Sequence, residues 1–405
     1  MKSLKFFFTC TFLLSALVLI TDCNGNVEDG NSSTLPETKW TIETVSPIGT
    51  EGTYPSLAID NNGNPHISYL DLNDGYLKYA YKNGTTWTIE NVGYVANSNG
   101  TIANAGLSSI ALDAANNPHI CYFDFGSGHF KYAKKTGGSW TTTIIPLPVF
   151  YTYPDGTTIS YIPWAESSIA VDKTTGTAYI SLQMFGNGYV LGYWKPGLAS
   201  AIVVDKQATT EDGSNGLGFN NAIALDGNGF PGISYEDRGS DWWGVVHTPG
   251  TLKYAHWNGS AFNLETVAPM LESYWEDRLT SLAIDKYNNP HIAYSSYNEG
   301  YKCAFKNGSS PWTIETMMFN QTTPYLSGYP SLSLSLDGTG KPHIALVVDF
   351  GNAYRLKHAY WNGSSWSFDT IEDDVGHCAI AVNNSSKIHI VYNTDITGAI
   401  KYATK

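Results

Sequence analysis

From Ser56 to Val92, apolar side chains alternate with small or polar ones in four short runs, S-L-A-I-D, P-H-I-S-Y, L-K-Y-A-Y-K and W-T-I-E-N-V. A period of two is the signature of a pleated strand, whose successive side chains point to opposite faces. Leu57 and Ile59 fall on one face, and Ser56, Ala58 and Asp60 on the other. Between the runs stand Asn-Asn-Gly-Asn and Lys-Asn-Gly-Thr-Thr, where Gly and Asn tolerate positive φ, so both connections predict tight reversals. The stretch predicts a four-stranded antiparallel meander.

The pattern returns six more times. Aligned on the residue that ends the first strand, the copies fall at Asp60, Asp113, Asp172, Asp226, Asp285, Asp337 and Asn383, spaced 46 to 59 residues apart. A propeller blade usually spans roughly 40–50 residues, and the excess here sits in identifiable loops. The seventh copy ends after I-K-Y-A-T-K without a fourth strand, and Lys39 to Val45, K-W-T-I-E-T-V, matches the fourth strands at Trp87 and Trp312. The chain therefore predicts an all-β, seven-bladed β-propeller of four-stranded antiparallel blades over residues 38–405, closed by the N-terminal strand completing the last blade. A ring of small sheets grows without enlarging any one core, so 405 residues require no second globular domain.

The repeat D-x-x-G-N-P-H-I-x-Y, followed by L-K-Y-A-x-x-N-G-x-x-W-x-x-E-x-V, resembles the secreted bacterial β-propellers of the broad sialidase-like, BNR-repeat-like group. The resemblance spans residues 38–405 and implies that ligands meet the face carrying the loops from strand two to three and from strand four to the next blade. No S-x-D-x-G-x-x-W box and no F-R-I-P opening is present, so the resemblance reaches the fold and not sialidase activity.

Residues 1–22 carry Lys2 and Lys5 ahead of the apolar run Phe6 to Ile20, the pattern of a secretory signal. Cleavage before Cys23 would resemble bacterial lipoprotein processing, except that Asp22 replaces the customary small residue. Plain secretion and attachment to a membrane through a lipid on Cys23 both remain open. Residues 23–37, rich in Asn, Ser, Gly and acid, read as a flexible tether. The expected location is secreted or cell-surface, including an outer-membrane lipoprotein. Cys121, Cys303 and Cys378 lie in different repeats without C-x-x-C spacing, which predicts buried free thiols and no zinc site. A formal net charge of −13 argues against a phosphate backbone as partner, since that binding relies on clustered Lys and Arg. No cofactor is expected. Asp71-Leu-Asn-Asp-Gly75 begins like a calcium loop, but no acid follows at the EF-hand spacing, so no metal is expected there.

Repetition separates scaffold from site. His66, His119, His291, His343 and His389 open the second strand of five copies, and a catalytic base is needed only once, so they predict structural rings hydrogen-bonded at blade seams. The repeated Asp predicts an acceptor for backbone N–H groups of its own turn. The repeated Trp residues predict cover for outer strands, with each indole N–H near a partner.

Length variation is confined to the loops of the expected ligand face, and irregularity held on a rigid scaffold points to function. Tyr151, Tyr153, Tyr161 and Trp164 precede blade three. Trp242, Trp243 and His247 form an insertion in blade four; Tyr274 and Trp275 follow, then Tyr325 and Tyr329. Acids accompany them at Asp71, Asp124, Asp155, Glu166, Glu236, Asp237, Glu276, Asp277, Asp349 and Asp395. Aromatic faces beside carboxylates make a saccharide-binding surface, the other reading being rings that pack loops onto blade tops. The chain's three arginines, Arg238, Arg278 and Arg355, all fall in these loops. Three planar forks suit an anionic sugar; the alternative is loop braces paired with nearby Asp237, Asp277 and Asp349. Two functions follow: a module binding an extracellular glycan or other surface ligand, or a secreted lyase or glycoside hydrolase acting on an acidic polysaccharide.

Overall fold

A computed structural model describes residues 39–46, 52–96, 108–186, 188–206, 215–240, 250–270, 279–296, 299–318, 331–350, 353–394 and 398–405. The expected signal and tether, residues 1–37 with Cys23, lie outside them. Strands fold into seven four-stranded antiparallel sheets, each in simple up-and-down order. Blade 1 is typical, with strands Gly52–Ile59, Pro65–Asp71, Tyr76–Asn83 and Thr86–Tyr94. The first strand of each blade contacts the first strands of both neighbours, and the last of these contacts, between Val375–Val382 and Gly52–Ile59, closes the ring.

Blade 7 is composite, as the sequence predicts. Its strands Val375–Val382, Ile388–Thr394 and Ile400–Thr404 are completed on the outside by Thr41–Thr44, in the register Thr41 opposite Thr404 and Thr44 opposite Lys401. Val45 N–H extends the ladder to the Ile400 carbonyl at 2.8 Å.

The core is divided among the seams. Among the described residues seven clusters of buried side chains are present, each drawn from two adjacent blades. The residue after the repeated histidine position, Ile67, Ile120, Ile180, Ile233, Ile292, Ile344 and Ile390, is fully buried in every blade. Burial of one such side chain is worth about 1.5–3 kcal/mol. Innermost strands are also stitched across seams by serine: Ser56 Oγ accepts from Ile110 N–H at 3.2 Å, and Ser281 Oγ from Leu334 N–H at 2.9 Å. These bonds occupy N–H groups that the inner edge of a sheet would otherwise leave unpaired.

The outer strands are tied by a second repeated contact. Trp87 Nε1 donates to Glu43 at 3.3 Å and Lys82 Nζ to the same carboxylate at 2.7 Å; Trp140 and Lys135 repeat the pair on Glu90, and Trp312 and Lys306 on Glu265. Glu43 belongs to the N-terminal strand, so the closing seam obeys the rule of the others. Trp40 is the exception, because the acid it would meet is Asp369, one methylene shorter than Glu. Asp369 already accepts from His358 Nδ1 at 3.3 Å and Lys405 Nζ at 2.8 Å, and the buried Trp40 Nε1 has no partner among the described residues.

All seven repeated Asp or Asn residues accept backbone N–H bonds from their own turns, as in Asn62 and Asn64 to Asp60 Oδ1 at 2.8 and 2.7 Å, and Lys387 to Asn383 at 2.9 Å. The repeated histidines are scaffold, but the seam expectation needs correction. Their rings bond within a blade: His119 Nδ1 meets Tyr132 Oη at 2.7 Å and its Nε2 faces Asp113 at 3.4 Å. His66 joins Tyr79 at 2.6 Å in the same way. The tyrosine belongs to the third strand of the same sheet, so the ring locks the turn to its own blade. Cys121, Cys303 and Cys378 are free and buried, and burial pushes each thiol up to about 12.

Candidate ligand-binding face

Opposite the Asp turns, two of the three arginines are described. Arg238, on Pro231–Ser240 of blade 4, lies with its guanidinium 3.9 Å from the centre of the Phe219 ring, and its Nε donates to Glu236 at 3.2 Å. Arg355, on Tyr354–Trp361 of blade 6, stacks on Phe350 at 4.7 Å and pairs with Asp373 at 3.2 Å. Each arginine side chain is about one-third exposed, 34% in both cases. The acids are not the sequence neighbours expected. Asp237 points to the other face of its strand and pairs with Lys253 at 3.4 Å, whereas Glu236 shares the face of Arg238 two residues away. Asp373 is the cross-strand partner of Arg355, while Asp349 stands opposite Tyr354.

Trp164 falls in a bulge of Ile162–Val171, the innermost strand of blade 3. Arg278, Trp242, Trp243, His247, Tyr274 and Trp275 lie outside the described residues, as do Tyr325, Tyr329, Glu276, Asp277 and Asp395. The connection before blade 3 folds into a hairpin of its own, Val149–Thr152 with Thr158–Ser160. Tyr161 packs onto the seam between blades 2 and 3, while Tyr153 at the turn is exposed.

Lysines of the third strands pair with acids on this face in a second repeated pattern that sequence reading missed. Lys131 pairs with Asp124 at 2.5 Å, Lys253 with Asp205 at 2.9 Å, and Lys302 with Glu299 at 2.6 Å. Burial alone would lower the Lys253 pKa, but its bond to Asp205 and the charges of Asp205 and Asp237 outweigh burial and raise it. Asp71 moves up instead, through burial and the charge of Asp74. The lysine holds the second position of the repeated third-strand motif, L-K-Y-A at Lys253, F-K-Y-A at Lys131 and Y-K-C-A at Lys302, so the motif itself carried the signal. Among the described residues no group of three or more His, Cys, Asp or Glu is placed to hold a metal ion.

Four residues at the axial end of this face were also missed as a set. Counting six back from the turn Asp or Asn gives Tyr54, Glu166, Asn220 and His377 in blades 1, 3, 4 and 7, with Leu279 in blade 5. The innermost strand is bulged at this point in all four of those blades. The Tyr54 and His377 rings meet at 4.1 Å between centroids, and Thr53 Oγ1 lies 3.2 Å from His377 Nδ1. Burial lowers the His377 pKa to about 4, so the ring is neutral at pH 7. Glu166 accepts the Asn220 N–H across the seam between blades 3 and 4. The residue type at this position changes from blade to blade, as does the next (Pro55, Ser167, Asn221, Cys378), so variability alone did not single out the set.

No protein-family model and no curated protein matches the sequence. Solved structures do resemble the fold. The polysaccharide lyase Uly1 is 9% identical with a TM-score of 0.49, covering 89% of this chain and 90% of that one. AofleA from Arthrobotrys oligospora is 10% identical with a TM-score of 0.49, covering 82% and 89%. The NanB sialidase from Streptococcus pneumoniae is 11% identical with a TM-score of 0.47, covering 89% and 69%. These likenesses assign no activity to this chain.

Proposed function

We propose that the chain is a secreted or surface-anchored binding module that takes a glycan, or another surface ligand, on its loop-rich face. One observation carries this reading: the ring holds one face to a single repeated turn while the other presents partly exposed arginines on aromatic rings. A guanidinium held over an aromatic ring is partly ordered before any ligand arrives, which lowers the ordering cost of binding. Export through residues 1–22, with or without a lipid on Cys23, belongs to the same proposal and is read from the mass of the mature N-terminus.

The test is a glycan array with the mature protein, followed by an absorbance assay for unsaturated uronate products on every acidic glycan bound. Retention of glycans without product supports the module. Product release would instead establish the alternative, an enzyme acting on an acidic polysaccharide. An array without any retained glycan would overturn the glycan reading in both forms and leave only another surface ligand.

A further inference from the structure

We infer that the axial end of the loop-rich face, where the innermost strands are bulged, holds a subsite for one uncharged sugar unit, with Asn220 and Glu166 on one side and Tyr54 on the other. This deepens the proposed function and rests on it. Tyr54 and Asn220 both hold φ at 50°, a region that side chains with a Cβ seldom enter, least of all a bulky one. Such conformers persist where the surroundings over-determine them, and they concentrate at binding sites. Asn220 is held in this way: its N–H is taken by Glu166 of blade 3, and its carbonyl accepts Thr280 Oγ1 of blade 5 at 2.6 Å. What this arrangement leaves over is the side-chain amide, whose buried Nδ2 has no partner among the described residues.

Bulges re-aim side chains, and here they fall at one level in four innermost strands. The seam between blades 7 and 1 carries Tyr54 on His377, and the seam between blades 3 and 4, nearly opposite in the ring, carries Glu166 with Asn220. Gly376 serves the first pair: a Cβ there would lie 2.7 Å from Asn393 Nδ2, and Asn393 Oδ1 holds the His377 N–H at 2.7 Å. The chemistry offered is an amide donor, a carboxylate acceptor and an aromatic ring. That set matches neighbouring hydroxyls and the C–H face of a sugar. The Glu166 carboxylate opposes a uronate or sulfate at the same point, which assigns anionic groups of a longer glycan to the arginines nearer the rim.

The experiment titrates the mature protein with the methyl glycosides of glucose, galactose, mannose, fucose and N-acetylglucosamine, and with methyl glucuronide, by saturation-transfer NMR and calorimetry. Asn220→Gly keeps the backbone conformation accessible while deleting the amide, and Glu166→Gln keeps shape while removing charge. Expected are binding of at least one neutral glycoside, a tenfold or greater loss in both variants, no binding of the glucuronide, and an Asn220→Gly melting temperature at or above wild type. Absence of neutral-glycoside binding, or full affinity in both variants, overturns the subsite. If the array still retains glycans, only the subsite falls; an empty array removes the glycan reading with it.

Discussion

On one face of the ring the first-to-second-strand turn is closed seven times by the same side-chain oxygen, from Asp60 to Asn383. On the other face the connections differ in length and sequence from blade to blade, and the side chains that matter occur once. Both faces hang on the same strands, so the difference lies in how the ends are satisfied. A carboxylate reaching back to two N–H groups is a local solution that any blade can reuse. Arg238 on Phe219, or Tyr54 on His377, depends on partners from other strands or another blade, and no other copy has them. Repetition marks what the ring needs, and its failure marks what the ring carries.

The comparison presupposes closure, and breaking closure has the largest expected effect. Deleting Trp40 to Val45 removes the outer strand of blade 7, the buried Val45 and the carboxylate of Glu43 that holds Trp87 and Lys82. The loss should be about 3–6 kcal/mol, the worth of two packed apolar side chains, and both faces should melt together. Equal thermal midpoints for deleted and intact protein would rule out the composite blade as the fastening.

Next in size is a contrast between two aspartates. Asp113 accepts N–H bonds from Ala115 and Asn117 at 3.0 and 2.9 Å and faces the fully buried His119; burial opposes its charge, but the Asn117 amide and N–H and then His119 hold its carboxyl down at about 2. Asp113→Ala should cost about 1–3 kcal/mol by leaving buried groups unmet. Asp155, in the hairpin before blade 3, makes a similar turn bond to Thr157 N–H at 2.8 Å, but it is exposed. Asp155→Ala should leave the melting temperature unchanged. A similar loss at both positions would erase the distinction between the faces.

Much of this was legible before the fold. The blade count, the composite closure and the Asp turns follow from period, spacing and turn chemistry. The histidine partners were within reach too, since His66, His119 and His389 each bond a tyrosine thirteen residues on. The arginine partners were misjudged because proximity in sequence was weighed above strand geometry. Neighbours on a strand point to opposite faces, so Asp237 cannot be the acid for Arg238, while Asp373 is distant in sequence and directly opposite Arg355. The axial set was hidden for another reason: a bulge displaces the pairing register, and no alternation of residue types announces it.

Blade 6 sharpens the comparison from inside the scaffold, because His358 stands where blades 1, 2 and 7 place the tyrosine. His343 Nδ1 lies 3.0 Å from His358 Nε2, and the remaining nitrogens face Asp337 at 3.8 Å and Asp369 at 3.3 Å. Lys341, Lys405, Tyr360 and the Trp40 ring complete the surroundings. Burial, then the charge of His358, lowers the His343 pKa to about 4, and burial lowers that of His358. A depressed histidine pKa means that the folded state binds fewer protons than the unfolded one. Stability from this pair is therefore full above the unfolded value of about 6.5 and lost as pH falls toward 4, by about 3 kcal/mol from His343 alone. Asp369, held near 2 chiefly by His358 and Lys405, adds a further loss only below its unfolded value of about 4. His358→Tyr with Asp369→Glu restores the repeated pattern and supplies Trp40 Nε1 with an acceptor. The double variant should melt higher than wild type at pH 5 and show a flatter pH profile between 6.5 and 4.5. An unchanged profile would place the acid sensitivity elsewhere.

The smallest effect on stability, and the sharpest separation of brace from site, is expected at Arg355. Its partner Asp373 is 51% exposed and the pair lies at the surface, where an ion pair is worth about 0–1 kcal/mol. Arg355→Ala should therefore shift the melting temperature little, with the lost stacking on Phe350 accounting for most of the change. A charge-assisted hydrogen bond to a bound anionic group is worth about 1.5–3 kcal/mol, so the same substitution should weaken an acidic oligosaccharide by that amount if the face binds one. Salt distinguishes the contributions further. Raising ionic strength should weaken wild-type binding more than variant binding, since the variant has already lost the screened interaction. Asp373→Ala supplies the opposite sign: it frees the guanidinium of its own acid and should strengthen binding, whereas a brace would only loosen. A variant pair that loses stability together while affinity stays constant would reduce Arg355 to a fastening of its strands and leave the axial residues as the described part of the site.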